Sequence, residues 1–345
     1  MRYRYLGGSG VKVSTLCLGT LMFGAWGRTT HEDALAIIDR ALDAGINYID
    51  TADSYAGGES EEIVGKALAK SGKRDRLIVA TKVFWNMSVD PNFRGLSRRW
   101  IIYEVEQSLR RLGTDYIDLY QVHRPDTNTD IEETLDALSD LVKAGKIRYF
   151  GTSNFPAHRI VEAQWAASTG GRRRFVSEQP QYSMLAREVE ADVLPVCQKH
   201  NIGVTTWSPL AGGWLTGRYR ANTGQAATPR VGRWPKRYDP AEPANQHKLA
   251  VVEQLAALAD EAGMTLIELA LAFCLNHKAV TSVAIGPRTM AQLENQLKAP
   301  YVVLDKDVLD RIDEIVPPGS MLVSREDGSW IPPELTDAGL RRRGA

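Results

Sequence analysis

Eight short apolar runs alternate with amphipathic helical segments, and glycines stand where such helices would return the chain to a strand. Together these predict an α/β protein, a (β/α)8 TIM barrel. The runs are Leu16-Cys17-Leu18, Tyr48-Ile49, Leu77-Ile78-Val79-Ala80, Ile117-Asp118-Leu119-Tyr120, Ile147-Arg148-Tyr149-Phe150, Phe175-Val176, Ile202-Gly203-Val204-Thr205 and Val283-Ala284-Ile285. Strand followed by helix, repeated, calls for a parallel sheet, and eight strands close a barrel. The pattern leaves an open doubly wound sheet as the alternative. Length alone suggests two domains for 345 residues, but barrels of about 250 residues or more occur as one, so residues 1–345 are read as a single domain.

Taken in order, residues 1–15 read as an N-terminal β-hairpin, Arg2 to Leu6 and Val11 to Ser14 around Gly7-Gly8-Ser9-Gly10. Helical spacing of three and four recurs in Ala34/Ile37/Ile38/Ala41/Leu42, in Ile131/Leu135/Leu138/Leu141/Val142 and in Leu249/Val252/Leu255/Leu258/Ala259. Gly45, Gly145 and Gly203 mark helix-to-strand turns that want a left-handed residue. After the seventh barrel strand, residues 212–246 are rich in Gly, Pro, Arg and Asn and far exceed a connection of about two to six residues, which reads as either a lid or disorder. The tail, 317–345, with Pro317, Pro318, Pro332 and Pro333, is irregular and is expected to fold over one face.

Lys and Arg number 42 against 42 Asp and Glu, a balance that argues against a nucleic-acid partner. The clusters Arg172-Arg173-Arg174 and Arg341-Arg342-Arg343 read as a solvated loop and a frayed terminus. Cys17, Cys197 and Cys274 are odd in number and form no CxxC, which suits buried thiols in a reducing compartment and gives a metal no foothold. Behind Arg2 and Arg4 the apolar stretch is broken by Gly7, Gly8, Gly10 and Lys12, so no secretory segment is expected, and no apolar run approaches a membrane span. The expectation is a cytoplasmic protein without a membrane partner.

In a barrel of this kind the active site lies at the C-terminal ends of the strands. The second run is followed by Asp50-Thr51-Ala52-Asp53-Ser54-Tyr55, the third by Thr81-Lys82 and the fourth by Gln121-Val122-His123-Arg124. Singly, each has an ordinary structural reading as a cap, a solvated charge or a satisfied polar group. At successive strand ends, a carboxylate, a phenol, an amine and an imidazole meet in one desolvated mouth. Interconverting a carbonyl and an alcohol requires a hydride on carbon and a proton on oxygen. A phenol with a pKa of about 10 serves as the proton donor when a cation such as Lys82 lowers that value. Asp50 would keep Lys82 charged, and His123 would orient the carbonyl oxygen.

On Leu18-Gly19-Thr20, Gly45-Ile46-Asn47-Tyr48-Ile49-Asp50-Thr51-Ala52 with Tyr55, Ala80-Thr81-Lys82, Gln121-Val122-His123, Gly151-Thr152-Ser153-Asn154-Phe155 and Trp207-Ser208-Pro209-Leu210, the chain resembles the aldo-keto reductases over nearly its whole length. Within them it is similar to the branch of potassium-channel beta subunits and bacterial sugar and aldehyde reductases. The resemblance implies a catalytic tetrad of Asp50, Tyr55, Lys82 and His123, a small-molecule carbonyl substrate and a nicotinamide cofactor. It places Ser153, Asn154 and Gln179 on the nicotinamide carboxamide, Trp207 against the ring, and Ser208 and Leu210 on the diphosphate. Arg288 and Gln292 grip the 2′-phosphate and adenosine. Gly19, Thr20, Pro209, Gly212 and Gly286 fall along the same cofactor site. Asn295-Gln296 stand at the adenine edge, where the family usually has Glu-Asn or Asp-Asn, and Arg218, Tyr219 and Arg220 come near the phosphates.

No glycine fingerprint of a Rossmann unit is present, since Gly7-Gly8-Ser9-Gly10 sits in the hairpin and Gly212-Gly213 opens the long loop. Barrels commonly bind phosphate after strands seven and eight, here Ser208 to Gly213 and Gly286-Pro287-Arg288-Thr289. The planar guanidinium of Arg288 favours NADPH over NADH. Trp26, Phe84, Trp85, Tyr182, Trp214 and Trp330 are substrate-pocket candidates, each equally readable as core. Two rivals remain, a cofactor-binding partner protein of the channel-beta kind and a barrel isomerase using an Asp-Lys pair.

Overall fold

A computed structural model describes residues 1–220, 228–323 and 331 of the chain. An antiparallel hairpin, β1 (Tyr3–Tyr5) and β2 (Lys12–Ser14), precedes eight parallel strands. These are β3 (Leu16–Gly19), β4 (Tyr48–Asp50), β5 (Ile78–Val83), β6 (Ile117–Val122), β7 (Ile147–Ser153), β8 (Ser177–Gln179), β9 (Gly203–Thr206) and β10 (Val280–Ile285). They close in sequence order, with β10 pairing β3. Around them lie α1 (His31–Asp43), α2 (Glu59–Ser71), α3 (Arg98–Leu112), α4 (Ile131–Lys143), α5 (Ala157–Thr169), α6 (Val193–Lys199), α7 (Pro229–Arg233), α8 (Pro243–Glu261), α9 (Leu266–Asn276), α10 (Met290–Gln296) and α11 (Lys306–Ile315). The closed parallel barrel replaces the open-sheet alternative.

The helices follow their apolar spacing and caps. In α1, Ala34, Ile37, Ile38 and Ala41 are buried, and the Thr30 side chain accepts from the Asp33 N–H at its start. A capping box of Thr265 and Glu268 opens α9. The main core lies between strands and helices, and a second cluster of Leu6, Val13, Cys17, Tyr48, Ala80 and Leu119 ties the hairpin to the strands. Alternation along the strands puts Cys17, Tyr48, Ala80 and Leu119 on one face, and two residues further along three of those strands come Asp50, Lys82 and Gln121. The hairpin therefore closes the N-terminal end, and polar side chains occupy the other.

Three elements depart from the sequence reading. The sixth strand is Ser177–Gln179, not Phe175-Val176: all three residues are buried and pair β7 through Thr152–Glu178 and Ser153–Gln179, while Phe175 just before them packs in the main core. Gly203 is not a helix terminator but lies inside β9, and the left-handed position is Asn201, with φ of 53°. A Cβ at Gly203 would stand 2.7 Å from both the Gly7 nitrogen and Leu6 Cδ1, so glycine is what lets the hairpin seat against β9. Within 212–246 the described chain is partly helical, with a turn at Ala211–Thr216, α7, a turn at Pro235–Tyr238, and α8 starting at Pro243.

Of the tail, Met321 bridges to Ala186, and the Arg187 N–H donates to the Ser320 carbonyl at 2.7 Å. Trp330 and Arg341 to Arg343 lie outside the described residues. Arg172 pairs with Asp136 at 2.6 Å. Cys17, Cys197 and Cys274 are buried and unbridged. No helix among the described residues is long and apolar enough to cross a membrane.

Candidate active site

Registers between neighbouring strands bring the strand-end residues level. Asp50 stands beside Ala80, Lys82 beside Gln121, and Ser153 beside Gln179. Tyr55 follows on the turn between β4 and α2, where Ala56, Gly57 and Gly58 are successively left-handed with φ of 51°, 69° and 100°. That reversal lets α2 begin directly behind the phenol. A Cβ at Gly58 would lie 2.7 Å from Arg111 Cδ, so a side chain there would also collide with the ion cluster of Arg111, Glu61 and Glu104.

The Lys82 ammonium is fully buried and donates to Asp50 Oδ2 at 2.6 Å, to the Thr51 carbonyl at 2.9 Å and to Tyr55 Oη at 3.3 Å. Burial alone would lower the Lys82 pKa, but the charges and hydrogen bonds of Asp50 and Tyr55 prevail and hold it above the ordinary value. Lys82 does not bring Tyr55 below the usual phenol value, as the sequence reading expected. Burial raises Tyr55, Asp50 adds to the rise, and Lys82 and Arg124 only partly oppose it. The phenol is therefore protonated at neutral pH and has a cation at its oxygen. Burial, followed by the charges of Arg124 and Lys82, holds His123 well below the ordinary histidine value, so its imidazole is neutral. The His123 and Tyr55 rings meet edge to face at 5.8 Å, and His123 Nδ1 has no hydrogen-bond partner among the described residues.

A chain of side chains extends from this group. Gln179 Nε2 donates to Asp50 Oδ1 at 3.0 Å, Ser153 Oγ to the Gln179 carbonyl at 2.9 Å, Asn154 Nδ2 to Ser153 Oγ at 2.6 Å, and Trp207 Nε1 to Asn154 Oδ1 at 3.1 Å. Asn154, at φ of 60°, owes its inward turn to a conformation asparagine tolerates.

All of this borders a cavity of about 980 Å³. Asp50, Tyr55 and His123 are on its wall, with Lys82 buried behind them. So are Gly19, Thr20, Ser153, Asn154, Gln179, Trp207, Ser208, Pro209, Leu210, Gly212, Arg218, Gly286, Arg288, Gln292, Asn295 and Gln296. Arg220 is not; it pairs with Glu253 at 2.7 Å on α8. Trp26, Trp85 and Trp214 line the cavity, and Trp214 stacks against Tyr238 at 6.0 Å. Phe84 and Tyr182 do not. Phe84 packs on the core beside Trp85, and Tyr182 is buried against Phe273, its hydroxyl donating to Glu190 at 2.7 Å.

Several residues of the site were not singled out from sequence. Gln121 Nε2 donates to Asp50 Oδ1 at 3.0 Å; its position two residues before His123, on the same strand face, was the available signal. Arg124 is buried on the cavity wall and donates to the His123 carbonyl at 2.9 Å. Burial lowers its pKa to about 10, which leaves it charged at neutral pH. Gln181 also lines the cavity, with its Oε1 unpartnered among the described residues. Arg233, Trp234 and Arg237 reach the wall from the long segment, a placement no local pattern announces.

Residues 15–317 match the model of the Aldo/keto reductase family. An uncharacterized oxidoreductase, YrpG, of Bacillus subtilis is 41% identical over 331 residues, covering 92% of this chain and 96% of its own. A probable voltage-gated potassium channel subunit beta of Arabidopsis thaliana is 39% identical over 329 residues, covering 92% and 97%. A putative voltage-gated potassium channel subunit beta of Schizosaccharomyces pombe is 36% identical over 320 residues, covering 91% and 93%.

Proposed function

We propose that this chain, which belongs to the aldo/keto reductase family, catalyses the reversible NADPH-dependent reduction of an aldehyde or ketone to its alcohol in the cytoplasm. The observation that carries the reading is the buried relay of Asp50, Lys82 and Tyr55 at the cavity wall, with neutral His123 against the phenol.

The cavity suits NADPH by its donor set. Ser208 and Ala211 are left-handed at φ of 57° and 48°, and with Gly212 and Gly213 they wind the backbone tightly along one wall, while Arg218 and Arg288 supply cations for phosphates. The Arg288 guanidinium, Nη1 at 3.4 Å from the Gly27 carbonyl, supports the preference for a 2′-phosphate. Gln292 Oε1 accepts from the Arg288 N–H at 2.8 Å and holds that backbone in place. Asn154, Ser153 and Gln179 offer amide and hydroxyl groups for a carboxamide, and the anchored Trp207 indole offers a flat face. When bound, the cofactor supplies the hydride.

Tyr55 Oη gives its proton to the developing alkoxide, a general-acid contribution of about 10² to 10⁴ in rate. Lys82 stabilises the phenolate left behind, and Asp50, held by Gln121 and Gln179, keeps Lys82 charged. His123, as a neutral imidazole, hydrogen-bonds the carbonyl oxygen and fixes its approach. Trp26, Trp85 and Trp214 line the mouth with flat apolar surfaces for the rest of the substrate.

The assay is NADPH oxidation against small aldehydes, aromatic aldehydes, diketones and keto sugars, with Tyr55→Phe beside the wild type. Turnover lost in the variant, with NADPH binding retained, supports the reading. The names of the Arabidopsis and fission-yeast relatives favour a second one, a cofactor-binding partner protein of a channel. That reading predicts tightly retained NADP⁺ and slow turnover across the panel.

A further inference from the structure

Among the described residues the cavity wall carries five arginines, Arg124, Arg218, Arg233, Arg237 and Arg288, against one carboxylate, Asp50, which Lys82 already holds. Arg218 and Arg288 belong to the cofactor reading above. Two of the others lie on the indoles that frame the reacting groups. The Arg233 guanidinium carbon stands 4.0 Å from the centroid of Trp26, whose ring lies 6.2 Å from that of Tyr55. On the His123 side, Arg124 stands 5.6 Å from Trp85, whose ring lies 6.1 Å from His123. Trp234 continues the alternation, with Arg233 at 5.1 Å and Arg237 at 4.7 Å from its ring.

Arg233, resting on Trp26, spends its apolar face on the ring and presents its N–H edge to an oxyanion. The indole beside it offers a flat surface to a planar carbonyl compound. A cationic substrate would meet the like charge of Arg233 here, with Asp50, held by Lys82, as the one carboxylate of the wall among the described residues, and a neutral one would leave the Arg233 edge beside Trp26 without a role. Resting on the reductase reading, we propose that the substrate is a planar aldehyde or ketone bearing a carboxylate. The carbonyl is at Tyr55 and His123, the flat portion lies along Trp26 and Trp85, and Arg233 receives the carboxylate. Arg233 is exposed, so this recognition is sensitive to salt.

The test compares kcat/KM for 3- and 4-carboxybenzaldehyde with that for their methyl esters, in wild type and Arg233→Gln, at low and high salt. The esters are intrinsically the more electrophilic aldehydes, so a preference for the acid reports recognition. The expected wild-type preference for at least one acid is about tenfold or more, the range of a hydrogen bond to a charged group. It shrinks in Arg233→Gln and in high salt. A wild type indifferent to the charge, or preferring both esters, overturns the proposal. So does an Arg233→Gln variant that binds NADPH more weakly while the acid-to-ester ratio stays fixed, since the guanidinium would then serve the cofactor. Binding of the corresponding alcohols to the NADP⁺-loaded protein, read by tryptophan fluorescence, separates the two readings. Acid-selective binding without any turnover upholds the carboxylate site and removes the reductase; equal binding of acid and ester removes the carboxylate site.

Discussion

Replacing Asp50 by asparagine keeps the shape of the side chain and removes the carboxylate that, among the described residues, pairs with the buried Lys82 ammonium. In the native arrangement Asp50 Oδ1 accepts from Gln121 and Gln179, both at 3.0 Å, and Oδ2 accepts from Lys82 at 2.6 Å. An asparagine keeps its single oxygen on the two glutamine donors and turns its amide N–H₂ toward Lys82, donor against donor. Breaking a buried ion pair from one side costs about 3–5 kcal/mol, and with Lys82 wholly buried the upper part of that range is expected at neutral pH. The cost depends on pH. In the wild type the Lys82 pKa is raised, so its contribution is complete below the ordinary lysine value and is lost only as pH climbs through the higher folded one. In Asp50→Asn the charge and hydrogen bond of Asp50 are gone, Tyr55 alone still opposes burial, and that pKa falls below the ordinary value. The variant then recovers stability as pH rises toward the ordinary lysine value, and the gap between the two proteins narrows. Urea unfolding at several pH values between neutral and strongly basic measures both curves, with turnover of an active aldehyde followed alongside. A loss below about 1 kcal/mol, of the size of an exposed pair, with no narrowing at high pH, would refute the argument that Asp50 keeps Lys82 charged.

Arg288→Gln is expected to weaken NADPH about ten- to a hundredfold, the range of a lost hydrogen bond to a charged group, and to leave NADH nearly unaffected. Fluorescence titration with both cofactors checks this, and equal losses would place the guanidinium elsewhere than on the 2′-phosphate. Gly203→Ala inserts a methyl 2.7 Å from the Gly7 nitrogen and Leu6 Cδ1 and should cost about 1–3 kcal/mol in urea unfolding; a neutral effect would mean that the hairpin does not seat tightly on β9. Burial pushes the Glu178 carboxyl up to about 8, so the folded chain holds a proton that the unfolded chain has released, and stability falls as pH rises from the ordinary carboxyl range to that value. Glu178→Gln removes up to about 1.4 kcal/mol of that decline per pH unit, and parallel urea curves for the two proteins across the window would contradict it.

Much of the site is visible in sequence because strand alternation is a period of two. Asp50, Lys82 and His123 each follow an apolar run on a different strand, and a closed barrel leaves such residues one common direction. The residues that were missed depend on what period cannot encode. Ser177 to Gln179 is a strand made of polar side chains, all buried, in which Glu178 accepts from Thr152 of the neighbouring strand and Gln179 donates across the mouth to Asp50. Gln121 was in view beside His123, but only the closed barrel shows that it shares Asp50 Oδ1 with Gln179. Phe84 and Tyr182 follow strand ends as the pocket tryptophans do, and an aromatic ring satisfies core and cavity alike. Tyr182 is committed to the core by Glu190 and Phe273, groups brought to it by the later chain. The effect of Lys82 on Tyr55 was read from charge alone, and the depth of burial reverses the net direction. Arg233 and Arg237 reach the wall through a segment whose sequence gives no periodic signal at all.

The central claim is direct hydride delivery to a carbonyl carbon that Tyr55 protonates at oxygen. The most direct measurement is turnover of an active aldehyde with NADPH deuterated at the nicotinamide C4, followed by mass spectrometry of the alcohol, in wild type and Tyr55→Phe. The account predicts one deuterium on the carbinol carbon from one of the two C4 positions, with the rate lowered about 10² to 10⁴ in the variant. An alcohol without label, or a variant as fast as the wild type, would contradict it.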